Sequence, residues 1–251
     1  MSKISAVVLS YNNEKEIGAC LDSLSWADEV VLVDSFSDDK TVEIAKEKGA
    51  IVHQHPFSTF GALRNIAHKY AKYDWVFSLD TDEVATAPAI DELKKIANDA
   101  SSKDIYFVPR RNIIFGKKMK HGGWYPDYRQ PQFFKKDSLV YQEEHDVHEG
   151  FTPMGSIGYL KSAIEQRPFR DLEHYLAKME RYSTLMAKRM NKEGRRFSWP
   201  QLIVRPVFSF IKRYFFRLGL LDGLVGFIFS CFYAHYTFTK YAKLWLLQKR
   251  S

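Results

Sequence analysis

The sequence predicts an α/β fold with a mostly parallel sheet and a C-terminal helical extension. Three observations carry that expectation. Short β-rich apolar runs alternate with helix-patterned segments over the first 110 residues, as in strand–helix–strand layers. Polar clusters follow the strands at 11–13, 34–39 and 80–83, at the carboxyl ends where open α/β sheets bind ligands. Beyond Asp171, Tyr175, Met179, Tyr182, Met186 and Met190 recur at helical spacings of three and four.

Residues 4–10 are a short apolar run and read as a buried strand. Residues 14–24 place Ile17, Cys20, Leu21 and Leu24 on one helical face, with Asn12 or Asn13 expected as the N-cap. A second strand covers 29–33, and a polar loop follows it. Residues 41–48 read as a helix closed by Gly49, since glycine suits the left-handed position after a helix. A third strand is expected at 50–53. A helix over 60–72 aligns Leu63, Ile66, Ala67 and Tyr70. The fourth strand, 75–79, ends in Asp80-Thr-Asp-Glu83. Pro88 then suits the start of another helix, and 105–108 reads as a fifth strand. From 110 to 169 the pattern is less regular, with short strands expected at 132–135 and 158–161.

Composition narrows the function classes. The 251 residues hold 37 Lys and Arg against 30 Asp and Glu, with 45% apolar residues. This is a globular composition, which excludes wholesale disorder, collagen-like repeats and coiled coil. The charge is unevenly divided. Residues 1–160 carry 19 basic and 24 acidic side chains, net −5, while residues 161–251 carry 18 and 6, net +12. The last third therefore suits an anionic partner, although a solvated basic helix face has the same pattern. Cys20 and Cys231 stand far apart in apolar contexts, which disfavours a disulfide scaffold or zinc site and fits a reducing compartment. No basic segment followed by an apolar one opens the sequence, so a cytoplasmic N-terminal part is expected.

Asp80-Thr-Asp82 is the most informative short motif. Two carboxylates two residues apart, just past a buried strand, offer oxygen ligands to Mg²⁺ or Mn²⁺. A solvated loop or helix cap would look the same in isolation. Its place after the fourth strand, with Asp34 after the second, makes the metal reading stronger.

Val7-Val-Leu-Ser-Tyr-Asn-Asn13, then Glu29-Val-Val-Leu-Val-Asp34-Ser-Phe-Ser-Asp-Asp39, then Phe77-Ser-Leu-Asp80-Thr-Asp82-Glu83 resemble the motifs of family 2 glycosyltransferases. Those enzymes have the GT-A fold of nucleotide-diphospho-sugar transferases and invert the anomeric centre. Gly122-Gly-Trp-Tyr-Pro-Asp127, Val147-His-Glu149 and parts of 219–245 resemble a narrower subgroup that includes bacterial lipopolysaccharide-core β-glucosyltransferases. One departure is Arg129-Gln-Pro-Gln-Phe-Phe134, where the subgroup commonly has an Arg-Leu-Phe-like run.

The resemblance implies a UDP-sugar donor and a divalent cation. Donor contacts would come from Ser10, Tyr11, Asn13, Asp34, Ser35, Arg64, Asp80 and Thr81. Asp82 and Asp80 would hold the metal, with His148 as a further ligand or as an orienter of the base. Inverting transfer needs a base for the acceptor hydroxyl, and Glu149, Asp127, Asp146 and Glu144 are the candidates. Glu149 is favoured because Val-His-Glu matches the subgroup, with Asp127 next. His145 and His121 rank lower, and Trp124 and Tyr125 suit either sugar stacking or core packing.

The tail is basic and aromatic. Residues 218–238 contain no Lys or Arg, but they include Asp222, His235 and three glycines. A charge near mid-bilayer is costly, so an interfacial helix pair is preferred to a span. A helical subdomain covering the active site would show a similar pattern. Single-strand nucleic-acid binding also uses basic and aromatic residues, but no recognition signature accompanies them. The expected organisation is a catalytic domain over 1–170, divided at 110 into nucleotide-sugar and acceptor halves, and a helical extension over 171–251. The expected function is hexose transfer, glucose foremost, from a UDP-sugar to a lipopolysaccharide-core or other lipid-linked acceptor, at the cytoplasmic face of the inner membrane. The alternatives are a polyprenyl-phosphate glycosyltransferase, a non-catalytic nucleotide-binding module and a membrane-peripheral module.

Overall fold

The computed structural model describes residues 2–143 and 150–249. The chain divides into two compact units, 1–110 with 128–166, and 111–127 with 167–251. Residues 111–127, which the sequence reading put at the start of an acceptor half, thus group with the helical tail.

In chain order the elements begin with β1 (Ile4–Ser10), α1 (Ile17–Asp22), β2 (Glu29–Asp34), α2 (Thr41–Glu47) and β3 (Ile51–Gln54). Then come α3 (Phe60–Tyr70), β4 (Trp75–Asp80), β5 (Glu83–Val84), α4 (Ala87–Ala97) and β6 (Ile105–Phe107). After β7 (Arg110–Ile114) and β8 (Lys117–Lys118) follow β9 (Pro131–Lys135), β10 (Leu139–Tyr141), β11 (Phe151–Pro153), β12 (Ile157–Tyr159) and β13 (Ile164–Gln166).

The first unit is built on a sheet whose described strands run β12-β6-β9-β4-β1-β2-β3. β1 pairs in parallel with both β2 and β4, and β3 continues the parallel run beyond β2. β9 is antiparallel to both β4 and β6, so one reversed strand sits inside an otherwise parallel sheet. Both faces are covered, which explains why the central strands are almost continuously apolar. Ala6, Val8, Leu32, Phe77 and Leu79 point to one face and pack with Ile17, Cys20 and Leu21 of α1 and Ala89 and Leu93 of α4. Val7, Val31, Val33 and Val76 point to the other and pack with Leu63 and Ala67 of α3. The alternation follows from the period of two along a strand.

The connections grow from β1 to β3 on one side, and then β4 returns to the other side of β1. The strand order therefore reverses at the β1–β4 pair, and in such sheets ligands bind beyond the carboxyl ends of the strands at this switch point.

The sequence expectation for α1 needs correction. The helix covers only six residues and neither Asn12 nor Asn13 caps it. The Asn13 carboxamide instead accepts from Tyr11 N–H at 3.1 Å. Asn12 takes a left-handed φ of 52° and accepts from Asp38 N–H at 3.0 Å. Asparagine side chains compete readily for such local bonds, and here they tie two strand-end loops together.

In the second unit β7 and β8 form a short antiparallel hairpin. α5 (Leu172–Lys192) and α6 (Trp199–Ile211) pack against α7 (Gly223–Lys249). Tyr175, Phe169 and Phe229 make one apolar cluster, and Ala187, Met190, Tyr241 and Leu244 another. A π-helical turn, Lys212–Phe216, and a 3₁₀ turn, Gly219–Asp222, connect α6 to α7. The turn is tight, and a Cβ on Gly226 would meet Gly219 O at 2.0 Å. Asp222 is buried and accepts from the backbone of His121 at 2.9 Å and Lys120 at 3.2 Å.

Candidate active site

The switch point gathers most of the residues picked out in the first 82 positions. Ser10 and Asp34 lie side by side at the ends of β1 and β2, while Leu9 is in register with Asp80 of β4. Strands are spaced by about 4.8 Å, so Asp34 and Asp80 stand roughly 10 Å apart across β1.

Asp34 is fully buried. Its carboxylate accepts from Ser10 Oγ at 2.8 Å, Ser37 N–H at 2.8 Å and Ser37 Oγ at 2.5 Å. Three donors hold it in a single orientation. Ser35 beside it is also buried, and its hydroxyl has no hydrogen-bond partner among the described residues. Tyr11 is 61% exposed next to this cluster, and Asn13 N–H donates to Thr41 Oγ1 at 2.7 Å.

On the other side of β1, Asp80, Asp82 and Glu83 each bring an oxygen within 4.8 Å of the others. Their surroundings differ sharply. Glu83 is fully buried and pairs with Arg110 Nε. It also accepts from Gln132 Nε2 at 2.7 Å and Asp80 N–H at 2.9 Å. Burial pushes its carboxyl up to about 7; Arg110 opposes the rise, and Asp80 and Asp82 add to it. Glu83 is thus already coordinated by protein groups. Asp80 and Asp82 are partly exposed and remain suited to an external cation, which two carboxylates with substrate phosphates can bind. Gln166 Nε2 donates to both Asp82 oxygens at 3.2 and 3.3 Å. Thr81 lies half-buried in the turn between them.

Arg64 is not a surface arginine. It is 3% exposed, with Nη2 donating to Asp80 Oδ1 at 2.8 Å and Nη1 to Ser78 Oγ at 3.3 Å. With its amide oxygen turned toward the guanidiniums, Gln130 accepts from Arg64 at 3.0 Å and Arg110 at 3.3 Å. Beneath the cluster, Cys20 Sγ donates to Asp80 O at 3.6 Å. Burial and then Glu83, Asp80 and Asp82 push its thiol well up, so it is no nucleophile.

α3 serves two purposes. One turn after Arg64, His68 sits buried against Phe134 at 4.7 Å and Tyr141 at 5.6 Å. Asn65 bonds the strand end beside it, donating to Tyr141 O at 2.9 Å and accepting from Tyr141 N–H at 2.9 Å. It also donates to Glu143 Oε1 at 3.0 Å. Gly61 permits this approach, because a Cβ there would meet Gln142 O at 2.2 Å. The same helix therefore orients Asp80 and anchors the chain that leads into residues 144–149.

The acidic and histidine candidates Glu144, His145, Asp146, His148 and Glu149 lie outside the described residues. Asp127 belongs to the second unit. Trp124 is half-buried there and packs edge-on against Phe229 at 5.7 Å, while Arg111 stands over Tyr125 at 5.1 Å. Sequence reading missed Arg110, Gln130, Gln132 and Gln166. Two of these fall in the departing run Arg129-Gln-Pro-Gln132, whose glutamines reach the buried carboxylate and the guanidiniums.

Residues 5–156 match the family model described as Glycosyl transferase family 2. An uncharacterised glycosyltransferase of Rickettsia typhi is 27% identical over 100% of this chain and 89% of its own length. The lipopolysaccharide core biosynthesis glycosyltransferase LpsC of Rhizobium meliloti is 29% identical over 96% of this chain and 92% of its own. Among solved structures, S. aureus TarS 1–349 in complex with UDP-GlcNAc superposes with a TM-score of 0.52 at 20% identity, covering 74% of this chain and 64% of that one. Against a longer TarS chain the match spans 39% of that chain's length. These likenesses show the GT-A fold that the sequence predicts.

Proposed function

The chain belongs to glycosyl transferase family 2, and from that premise we propose that it transfers a hexose, glucose foremost, from a UDP-sugar to a lipopolysaccharide-core or other lipid-linked glycan with inversion. The observation that carries this reading is the pair of carboxylate sites flanking β1. Asp34 is held by Ser10 and Ser37, and Asp80 is held by Arg64. The first suits the hydroxyl and N–H groups of a nucleoside. The second, with Asp82, suits a divalent cation and a diphosphate. The kinship with LpsC supports the acceptor class.

Asp80 and Asp82 would hold Mg²⁺ or Mn²⁺, which would neutralise charge building on the leaving diphosphate. The protein's own residues do the rest. Asp34 and Ser35 bind and orient the nucleoside. Arg64 keeps Asp80 in place, and Glu83, itself fixed by Arg110 and Gln132, holds the turn that carries both aspartates. Glu149 takes the proton from the acceptor hydroxyl as the oxygen attacks the anomeric carbon and the diphosphate leaves, and His148, its neighbour in sequence, orients the base or stabilises the charge. A screen of UDP- and GDP-sugars, read as nucleotide released with and without Mn²⁺, tests the reading. Release from UDP-glucose above the other donors is expected; a GDP-sugar preference would contradict the donor assignment.

A further inference from the structure

Helix α6 is apolar on two faces: Leu202 and Phe210 pack toward α7, and a second apolar stripe is turned to the outside. Ile203, Val204, Val207, Phe208 and Ile211 recur at spacings of one, three and four, which puts them on one stripe. That stripe faces outward, with Ile203 62%, Val204 60% and Val207 56% exposed. Arg205, Ser209 and Arg213 reach α7 between these apolar contacts. Arg205 Nη1 donates to Tyr241 OH at 2.8 Å, Ser209 Oγ accepts from Thr237 Oγ1 at 3.4 Å, and the Arg213 guanidinium lies 3.6 Å over the Tyr233 ring. A water-facing helix carries polar residues on its outer face. The bend continues the apolar surface through Phe216, which is 75% exposed, then Leu221 and Leu224.

Charge says what covers this face. Exposed Arg195 and Arg196 precede the stripe, and exposed Lys212 and Arg217 follow it. A second copy laid on the stripe, in either direction, would bring these cations against their own kind. Lipid phosphates would neutralise them. No single helix among the described residues is long and apolar enough to cross a membrane; 199–216 and 219–249 reach that length and composition only as a pair, and the pair is bent by 72° at its break. Asp222 at that break is buried and bonded, so the turn carries no exposed carboxylate into lipid.

We propose that the α6 stripe and the bend after it form a monotopic insertion face for an anionic bilayer, lying in the interface with Arg196, Lys212 and Arg217 at headgroup phosphates. This goes beyond the transfer reaction and does not depend on it.

Flotation of the full-length protein with vesicles tests the proposal, since it needs no sugar donor and so can fail independently of the donor screen. The protein is expected to float with phosphatidylcholine–phosphatidylglycerol vesicles, and less with phosphatidylcholine alone, with binding that weakens in salt. Val204→Glu/Val207→Glu should weaken binding roughly tenfold or more, and Arg196→Glu/Lys212→Glu should abolish the preference for phosphatidylglycerol. Ile203→Ser/Phe208→Ser, a milder pair, should weaken binding in the same direction. Circular dichroism should show all three variants folded. Failure of the parent protein to float overturns the proposal, as does flotation unchanged by both stripe pairs. A solution dimer that the glutamate pair splits, without vesicle binding by the parent, would assign the face to self-association instead.

Discussion

Arg64 Nη2 donates to Asp80 Oδ1 at 2.8 Å from a side chain that is 3% exposed. The Asp80 carboxylate is thereby fixed by a buried cation on the neighbouring helix, one residue before Asn65 secures the opposite strand end. Preorganisation of this kind lets binding energy go into the reaction rather than into ordering the site.

Arg64→Lys keeps the charge but loses the planar fork that reaches Asp80 and Ser78 together. Turnover should fall about tenfold or more, with a stability loss of about 1–3 kcal/mol from the broken buried bonds. Steady-state kinetics and urea unfolding measure the two. Parental values in both would show that Arg64 does not position Asp80.

Gly61→Ala should lower stability by about 1–3 kcal/mol, because its new methyl group meets the Gln142 carbonyl, which is backbone and cannot swing aside. Asn65→Leu should loosen the same strand end by removing its bonds to Tyr141 and Glu143. Both should reduce transfer more than donor binding, since they disturb the approach to 144–149 and leave Asp34 untouched. Titration calorimetry with UDP-sugar separates the two effects.

His68 gives the first unit a specific acid sensitivity. Burial, then the nearby Arg64, lowers its pKa from 6.5 to about 3, and its Nε2 has no hydrogen-bond partner among the described residues. The unfolded chain takes up this proton as the pH falls through 6.5, and the folded chain resists until about 3. Stability is therefore fully present above pH 6.5 and is lost between 6.5 and about 3, at up to ~1.4 kcal/mol per pH unit. His68→Phe, which keeps the contacts with Phe134 and Tyr141, should flatten the dependence by one proton. Urea midpoints at several pH values between 7 and 5 read the difference, and parallel slopes would refute the assignment.

Much of the first unit was legible because strand and helix periods are local properties. β1, β2 and β4 are apolar runs ending in Ser10, Asp34 and Asp80, and the structure brings these three strand ends side by side as the alternating pattern predicts. The ion pairs were not legible. Glu83 and Arg110 are 27 positions apart, and which acid turns inward depends on packing. That Glu83 turns inward onto Arg110 and Gln132, leaving Asp80 and Asp82 as the partly exposed acids, is a product of packing that the motif does not show. α1 was overestimated because the Asn12 and Asn13 N–H groups donate across to Ser37 and Thr41, and neither asparagine side chain caps the helix. In the tail, hydrophobicity was visible, but the direction in which α6 turns it required the structure.

Glu149→Gln should leave UDP-sugar binding intact and reduce transfer at least about a hundredfold, the usual contribution of a general base. Asp127→Asn provides the comparison. Loss of transfer in the Asp127 variant, with Glu149→Gln active, would move the base to Asp127.

The central claim is that Asp82 and Asp80 carry a cation to a nucleotide-sugar diphosphate. Mn²⁺-dependent release of UDP from UDP-glucose, compared between the parent protein and Asp82→Asn, tests it most directly. Release that requires Mn²⁺ in the parent and vanishes in the variant is expected. Release that is unchanged in the variant, or independent of added metal after chelation, would contradict the claim.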